Sequence, residues 1–188
     1  MNAAEMKKYF KEAGAFLDGH FILSSGLHSP DYIQCALALK NPKKSEELGI
    51  MLKKLWKGDK PDLVLSPAMG GLIIGHETAK AFGVDFVFTE RLNRKMVLRR
   101  DFKIDMGVKI IIVEDVFTTG KSTMETYETV KAYGANVLGA LSIINRMGKK
   151  KFYFPHESLL KIDLKVYSPS SCPLCKKGLL AQKPGSRN

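Results

Sequence analysis

The stretch Ile110-Ile111-Ile112-Val113-Glu114-Asp115-Val116-Phe117-Thr118-Thr119-Gly120-Lys121-Ser122-Thr123 sets two kinds of chemistry side by side. Glu114 and Asp115 end an apolar run, and ionised carboxylates accept hydrogen bonds, including those of sugar hydroxyls. A short Thr/Gly/Ser turn follows and leads into a segment with helical periodicity. The start of a helix offers backbone N–H groups and a favourable dipole to a phosphate. In an α/β sheet, ligands bind outside the carboxyl ends of the strands. Gly120-Lys121-Ser122 invites comparison with the nucleotide-triphosphate loop. That loop needs a second glycine five positions earlier, where this chain has Asp115. A carboxylate there would repel the phosphates, which excludes the loop.

Three other stretches could serve the same edge. Ser66-Pro67-Ala68-Met69-Gly70-Gly71 carries a strand through small residues into a helix, so an anion could approach the backbone closely. Asn145-Arg146 ends another apolar run, where a guanidinium could meet an anion or make a surface ion pair. Glu90 to Phe102 carries five cations and reads as an extended, exposed excursion or a solvated hairpin. Near the N-terminus, Gly19 to Cys35 is denser in Ser, His and Gly than a turn requires. A hydrogen-bonded loop and a lid over a ligand both fit it.

Metal chemistry is less legible. Cys172-Pro173-Leu174-Cys175 has zinc-type spacing, but a structural site needs four ligands. Cys35, His156 or a second subunit would have to complete it, so a pair of free thiols in the tail is expected. A redox use is disfavoured because the pair follows the last strand. His20, His28, His76 and His156 show no ligand spacing, and no metal ligand is assigned. There is no Gly-x-Ser-x-Gly elbow.

The elements that must position these residues follow from periodicity. Residues 3–17 read as an amphipathic helix carrying Met6, Phe10, Ala13 and Leu17 and closed by Gly19. Short strands at 21–23 and 32–35 suggest a hairpin. Helices are expected at 43–57, from Gly71 to about Phe82, and at 121–133. Strands are expected at 62–66, 86–89, through the opening run, at 137–144 and within 151–167, the last ending in Ile162–Tyr167. Alternation of this kind implies a mostly parallel sheet with right-handed crossovers. A single domain is expected: an N-terminal lobe over 1–40, an α/β core over 41–167, and a turn-rich, mobile tail over 168–188.

The bulk composition narrows the classes. The chain has 188 residues, enough for one full core, and 45% are hydrophobic. No apolar run approaches the roughly 20 residues that span a bilayer, and the first residues lack a signal-peptide pattern. A cytoplasmic protein with no membrane partner is expected. The net charge of +11 suits either nucleic acid or a polyphosphate substrate. The charge is dispersed, and aromatics are not interleaved with it as a stacking platform requires, so no nucleic-acid partner is expected.

Val113 to Ser122 resembles the phosphoribosyl pyrophosphate (PRPP) motif of type I phosphoribosyltransferases. Phe21–Pro30, Ser66–Gly71, Glu90-Arg91, Leu98–Arg100 and Asn145-Arg146 narrow the resemblance to the orotate-specific enzymes. It covers nearly the whole chain. Its implied fold is α/β and type I phosphoribosyltransferase-like: a mostly parallel sheet flanked by helices, with a small N-terminal lobe, or hood. The implied reaction joins orotate to PRPP with Mg²⁺, the ion bound mainly through PRPP. By that resemblance Glu114 and Asp115 hold the ribose hydroxyls, and the stretch Val116, Phe117, Thr118, Thr119, Gly120, Lys121 and Ser122 cradles the 5′-phosphate. Ala68, Met69 and Gly70 line the pyrophosphate site, with a cis bond implied at Ala68–Met69. Thr118, Arg146, Tyr32, Ile33 and Ser24 bind orotate. Arg91, Arg94 and Lys95 lie on a mobile loop, 91–100, that closes over PRPP from the partner subunit of a homodimer. Arg91, Lys95 and Asp115 are the implied catalytic residues. The chain departs from the pattern at Ser24 and Gly70, where relatives place lysines. Another base-specific phosphoribosyltransferase and a non-catalytic, nucleic-acid-binding regulator are the alternatives.

Overall fold

Asn2 and Glu5 cap each other reciprocally, the Glu5 N–H donating to Asn2 Oδ1 at 3.0 Å and the Asn2 N–H to Glu5 Oε2 at 2.8 Å. This starts α1 (Ala3–Glu12), whose apolar face buries Met6 and Phe10. Gly14, at φ +70°, ends the helix well before Gly19. The expected helix over 3–17 is thus too long, and Leu17 lies in a strand. The computed structural model describes residues 1–23 and 25–184.

Strands β1 (Phe16–Ile22) and β2 (His28–Ile33) pair antiparallel as the hood hairpin. It is longer than the expected pieces because Asp18-Gly19-His20 and His28–Asp31 are polar and lack the apolar alternation that marks a strand. Then come α2 (Cys35–Leu39), α3 (Pro42–Leu55), β3 (Leu63–Pro67) and α4 (Gly71–Phe82). The chain continues through β4 (Asp85–Leu92), β5 (Lys95–Leu98), β6 (Lys109–Phe117) and α5 (Lys121–Ala132). It ends with β7 (Asn136–Asn145), β8 (His156–Lys161) and α6 (Pro173–Lys176). The last strand lies earlier than the expected Ile162–Tyr167. That segment passes to the hood, where Tyr167 bridges His28.

The six-stranded sheet runs β5-β4-β3-β6-β7-β8, parallel throughout except for the β4–β5 pair. Ile110, Ile111, Ile112 and Val113 are fully buried because β6 is covered on both faces. Alternation sends Ile111 and Val113 toward Leu48, Leu52 and Ile74 beneath α3 and α4. Ile110 and Ile112 face Val130, Phe152 and Phe154 on the α5 side. Each such side chain contributes about 1.5–3 kcal/mol by leaving water. The central strand is therefore the most firmly fixed part of the molecule, and its end carries the acids.

Helix α3 holds α4 in place through Gly49. A Cβ at this position would lie 2.6 Å from the backbone carbonyl carbon of Glu77 and 2.7 Å from its oxygen. Backbone cannot swing aside as a long side chain can, so the two helices would be forced apart. Gly49→Ala is expected to destabilise the fold by about 1–3 kcal/mol despite alanine's higher helix propensity. Thermal unfolding should show a loss of several degrees. An unchanged midpoint would refute the close-packing role.

Candidate active site

The ends of β3 and β6 are neighbours, since Leu63, Val64 and Leu65 pair with Ile110, Ile111 and Ile112. The turn after β3 therefore faces the acids near the end of β6. A Cβ at Gly70 would stand 2.7 Å from Asp115 Oδ1. One at Gly71 would stand 2.9 Å from the Val113 oxygen and 3.0 Å from Glu114 Oε2. The glycine pair thus lets the turn lie against both carboxylates. The Ala68–Met69 peptide between them and the strand is cis, as the family resemblance implies. The Ala68 N–H donates to the Thr89 oxygen at 2.8 Å, tying the turn to β4.

Asp115 accepts the Val116 N–H at 2.8 Å. Burial raises its pKa from 3.8 to about 6, partly offset by that hydrogen bond. The carboxylate is held ready for donors that the protein itself supplies only in part.

Beyond the acids, the chain turns through exposed Thr118 and Thr119 to Gly120, at φ +76°. A Cβ on Gly120 would sit 2.7 Å from the Phe152 ring. Gly120 is the N-cap of α5 and offers no side-chain cap; α4, starting after Gly70, has none either. Two twelve-residue helices thus open at one edge, and orphan N–H groups at such ends bind anions. Val116 and Phe117 turn their side chains into the core, so these two residues face the turn with backbone. The Phe117 oxygen accepts the Arg146 N–H at 2.8 Å, which joins the turn before α5 to the end of β7.

Arg146 makes no ion pair among the described residues, and its buried Nε has no hydrogen-bond partner. The surface-pair reading of the sequence is therefore set aside. Burial lowers its pKa, while Tyr32 and Cys35 act in the opposite sense. Burial raises the Tyr32 phenol, and Arg146 and Asp115 act on it from across the cleft. Cys35, fully buried, is pushed well up by desolvation and then by Asp115. Tyr32 and Cys35 from the N-terminal segment, Asp115 from β6 and Arg146 from the end of β7 thus converge on one place. Ile33, also expected there, is packed in the core. Ser24 lies outside the described residues. Cys35 was missed as a neighbour of the acids, because only the hood's return onto the sheet brings it there.

The cationic segment is a tight hairpin rather than an open loop. Leu92 pairs with Lys95 across Asn93 and Arg94, both at positive φ, a two-residue turn whose twist suits paired strands. Arg91 forms an ion pair with Glu125 of α5 and donates to the Arg94 oxygen at 2.8 Å. Glu125 also lies 3.7 Å from Lys121. Arg91 is thus held one helical turn from the start of α5, while Arg94 and Lys95 stand exposed at the tip. Glu90 binds Arg99 at 3.3 Å and Arg100 at 2.6 Å. Glu125 had no distinguishing signal in the sequence beyond its i,i+4 spacing from Lys121.

Residues 39–163 match the family model described as phosphoribosyl transferase domain. The orotate phosphoribosyltransferase of Thermotoga maritima is 48% identical over 183 residues, covering 97% of this chain and 98% of its own. That of Desulforamulus reducens is 43% identical over 188 residues, covering 100% and 98%. Among solved structures, orotate phosphoribosyltransferase from Aeropyrum pernix aligns with TM-score 0.73 at 24% identity, over 84% of this chain and 93% of that one. Adenine phosphoribosyltransferase from Thermoanaerobacter pseudethanolicus aligns at 0.62 and 22%, over 70% and 88%. The fold is therefore shared across enzymes for different bases.

The raised Asp115 pKa has a consequence for stability. Its protonated form favours the folded state, a contribution fully present below about pH 3.8 and lost as pH rises through about 6. Asp115→Asn, which keeps an acceptor for the Val116 N–H, should escape that loss. The variant is expected to be more stable than the parent by about 1–3 kcal/mol at pH 7.5, with the gap closing by pH 4. Denaturant unfolding at the two pH values checks this; an equal gap at both would overturn it.

Proposed function

Because the chain belongs to the phosphoribosyltransferase family, we infer that it transfers ribose 5-phosphate from PRPP to orotate. The products are orotidine 5′-monophosphate and pyrophosphate, a step of pyrimidine biosynthesis. Arg146 carries the choice of base: a half-buried side chain with a buried, unpartnered Nε and no ion pair among the described residues. A planar carboxylate such as that of orotate satisfies such a fork, and a purine does not. Near-identity in length and 42–48% identity to orotate-specific relatives support the same choice.

The roles follow from position. Glu114 and Asp115 accept the ribose hydroxyls. The start of α5, from Thr118 to Ser122, takes the 5′-phosphate, and the turn Ala68–Gly70 with the start of α4 takes the pyrophosphate. Tyr32 closes the site from the hood. The C1′–oxygen bond breaks with its electron pair leaving on pyrophosphate, and a ring nitrogen of orotate forms the new bond at C1′ while its N–H proton passes to solvent. The sugar is cation-like between these events, so the protein's task is to align two reactants and stabilise separated charge. No protein nucleophile is required. The edge offers hard oxygen donors, which fit Mg²⁺; bound with the pyrophosphate oxygens, the ion would neutralise charge on the leaving group.

A homodimer and a cytoplasmic location belong to the same reading. In it, Arg91, Arg94 and Lys95 serve the partner's site through the hairpin, and pyrophosphate replaces Glu125 as the counter-ion of Arg91. The charge of +11 then serves a polyphosphate substrate.

Two measurements test this. With PRPP, Mg²⁺ and a panel of bases, orotate should be consumed while adenine, guanine and uracil are not. Turnover of a purine, or of no base, would refute the assignment. Arg146→Ala should weaken orotate binding on the order of 100-fold, about 2–3 kcal/mol, with PRPP affinity largely kept. Unchanged orotate affinity by calorimetry would remove Arg146 from its role.

A further inference from the structure

We propose that His20, His28, Cys172 and Cys175 form a structural zinc site that staples the C-terminal segment to the hood. The four ligand atoms lie within 4.8 Å of one another. His20 Nε2 stands 3.6 Å from Cys172 Sγ and 3.8 Å from Cys175 Sγ, and His28 Nδ1 stands 3.4 Å from Cys175 Sγ. Zinc–nitrogen and zinc–sulfur bonds of about 2.0 and 2.3 Å set tetrahedral nitrogen–sulfur separations at about 3.5 Å. The two imidazole nitrogens, 2.8 Å apart, need to open by only about half an ångström to accept the ion.

The surroundings are arranged for ligation. His20 Nδ1 lies 2.8 Å from the Leu179 oxygen. A proton on Nδ1 would bond that carbonyl, leaving the Nε2 lone pair aimed at the cluster, the outer-shell support usual for metal-bound histidine. His20, His28 and Cys172 are buried, whereas Cys175 keeps one side toward solvent as an entry path. A donor set of two thiolates and two imidazoles suits zinc, while Mg²⁺ and Ca²⁺ prefer oxygen.

The chain around the cluster explains what the ion would do. Tyr167 exchanges backbone hydrogen bonds with His28 at 2.8 and 2.9 Å. Gln182 accepts from the Ile22 N–H at 2.7 Å and donates to the His20 oxygen at 2.8 Å. The returning segment thus grips both outer edges of a two-stranded hairpin, and the Cys-x-x-Cys turn spans the gap between. An isolated two-stranded hairpin is marginally stable, and a four-ligand metal supplies folding free energy directly. Over residues 168–184 the tail expected to be mobile folds against the hood, while 185–188 lie outside the described residues; in this proposal its two thiols are ligands and not free. The other two ligands are His20 and His28, not Cys35 or His156.

The inference is independent of the reaction assigned above. Full-length protein without a histidine tag should carry one zinc per chain by mass spectrometry of the metal. Cobalt exchange should give tetrahedral d–d bands and thiolate-to-metal charge transfer. Removing the ion with a strong chelator should lower the thermal midpoint by several degrees, restored by zinc. Cys172→Ser and His28→Ala should lose the metal, and His156→Ala should retain it. Should a ligand variant fail to fold, the parent's zinc content and cobalt spectrum decide alone. Parent protein with only trace zinc and no thiolate band would show a hydrogen-bonded histidine pair beside two thiols, and overturn the proposal. Full zinc in a Cys172→Ser, Cys175→Ser double variant would overturn it equally.

Discussion

Everything at the carboxyl edge depends on how closely the Gly70-Gly71 turn lies against Glu114 and Asp115. Parallel pairing of β3 with β6 brings the two strand ends together, and the missing side chains allow the last ångströms of approach. Any side chain at position 70 would begin with a Cβ 2.7 Å from Asp115 Oδ1 in this arrangement. The contact also encloses the Asp115 carboxylate, and the enclosure raises its pKa. A group held at a cost in the free protein gains most when a ligand supplies the missing donors.

A second constraint comes from the hood. Tyr32 and Cys35 meet Arg146 and Asp115 only because the N-terminal segment folds back over the sheet edge. The hairpin that does this is small and polar on its outer side. Its edges are held by the returning chain at His28–Tyr167 and Phe21–Gln182. The Ser29 hydroxyl adds a bond to the Lys165 oxygen at 2.8 Å. The C-terminal segment is thus part of the machinery that positions the hood, and a metal at its Cys-x-x-Cys turn would make that attachment firm. At the β5 edge of the sheet, the β4–β5 hairpin shows the same economy: Glu90 and Glu125 hold four neighbouring cations in place.

The sequence by itself determined the local chemistry. The acid pair after an apolar run, the Thr/Gly turn, the glycine pair and the strand-end arginine are each local patterns, and each kept its predicted element. Fold class was legible for the same reason, since apolar runs alternating with amphipathic segments admit few layered arrangements. Local signals failed where an element's end depends on one residue's φ, as at Gly14. They also failed where a polar strand is stabilised by its partner, as at Asp18-Gly19-His20 and His28–Asp31.

Only the tertiary structure decided which distant residues meet. His20 and His28 are too far apart in the chain to read as ligands, yet the hairpin sets their nitrogens 2.8 Å apart and the returning tail adds the sulfurs. Arg146 could have been a surface ion pair until burial left its Nε without a partner. Arg91 read as a mobile cation until Glu125, on another element, held it. Spacing along a chain records what a helix or strand brings together. Contacts across a sheet, or between hood and tail, depend on packing that no local window contains.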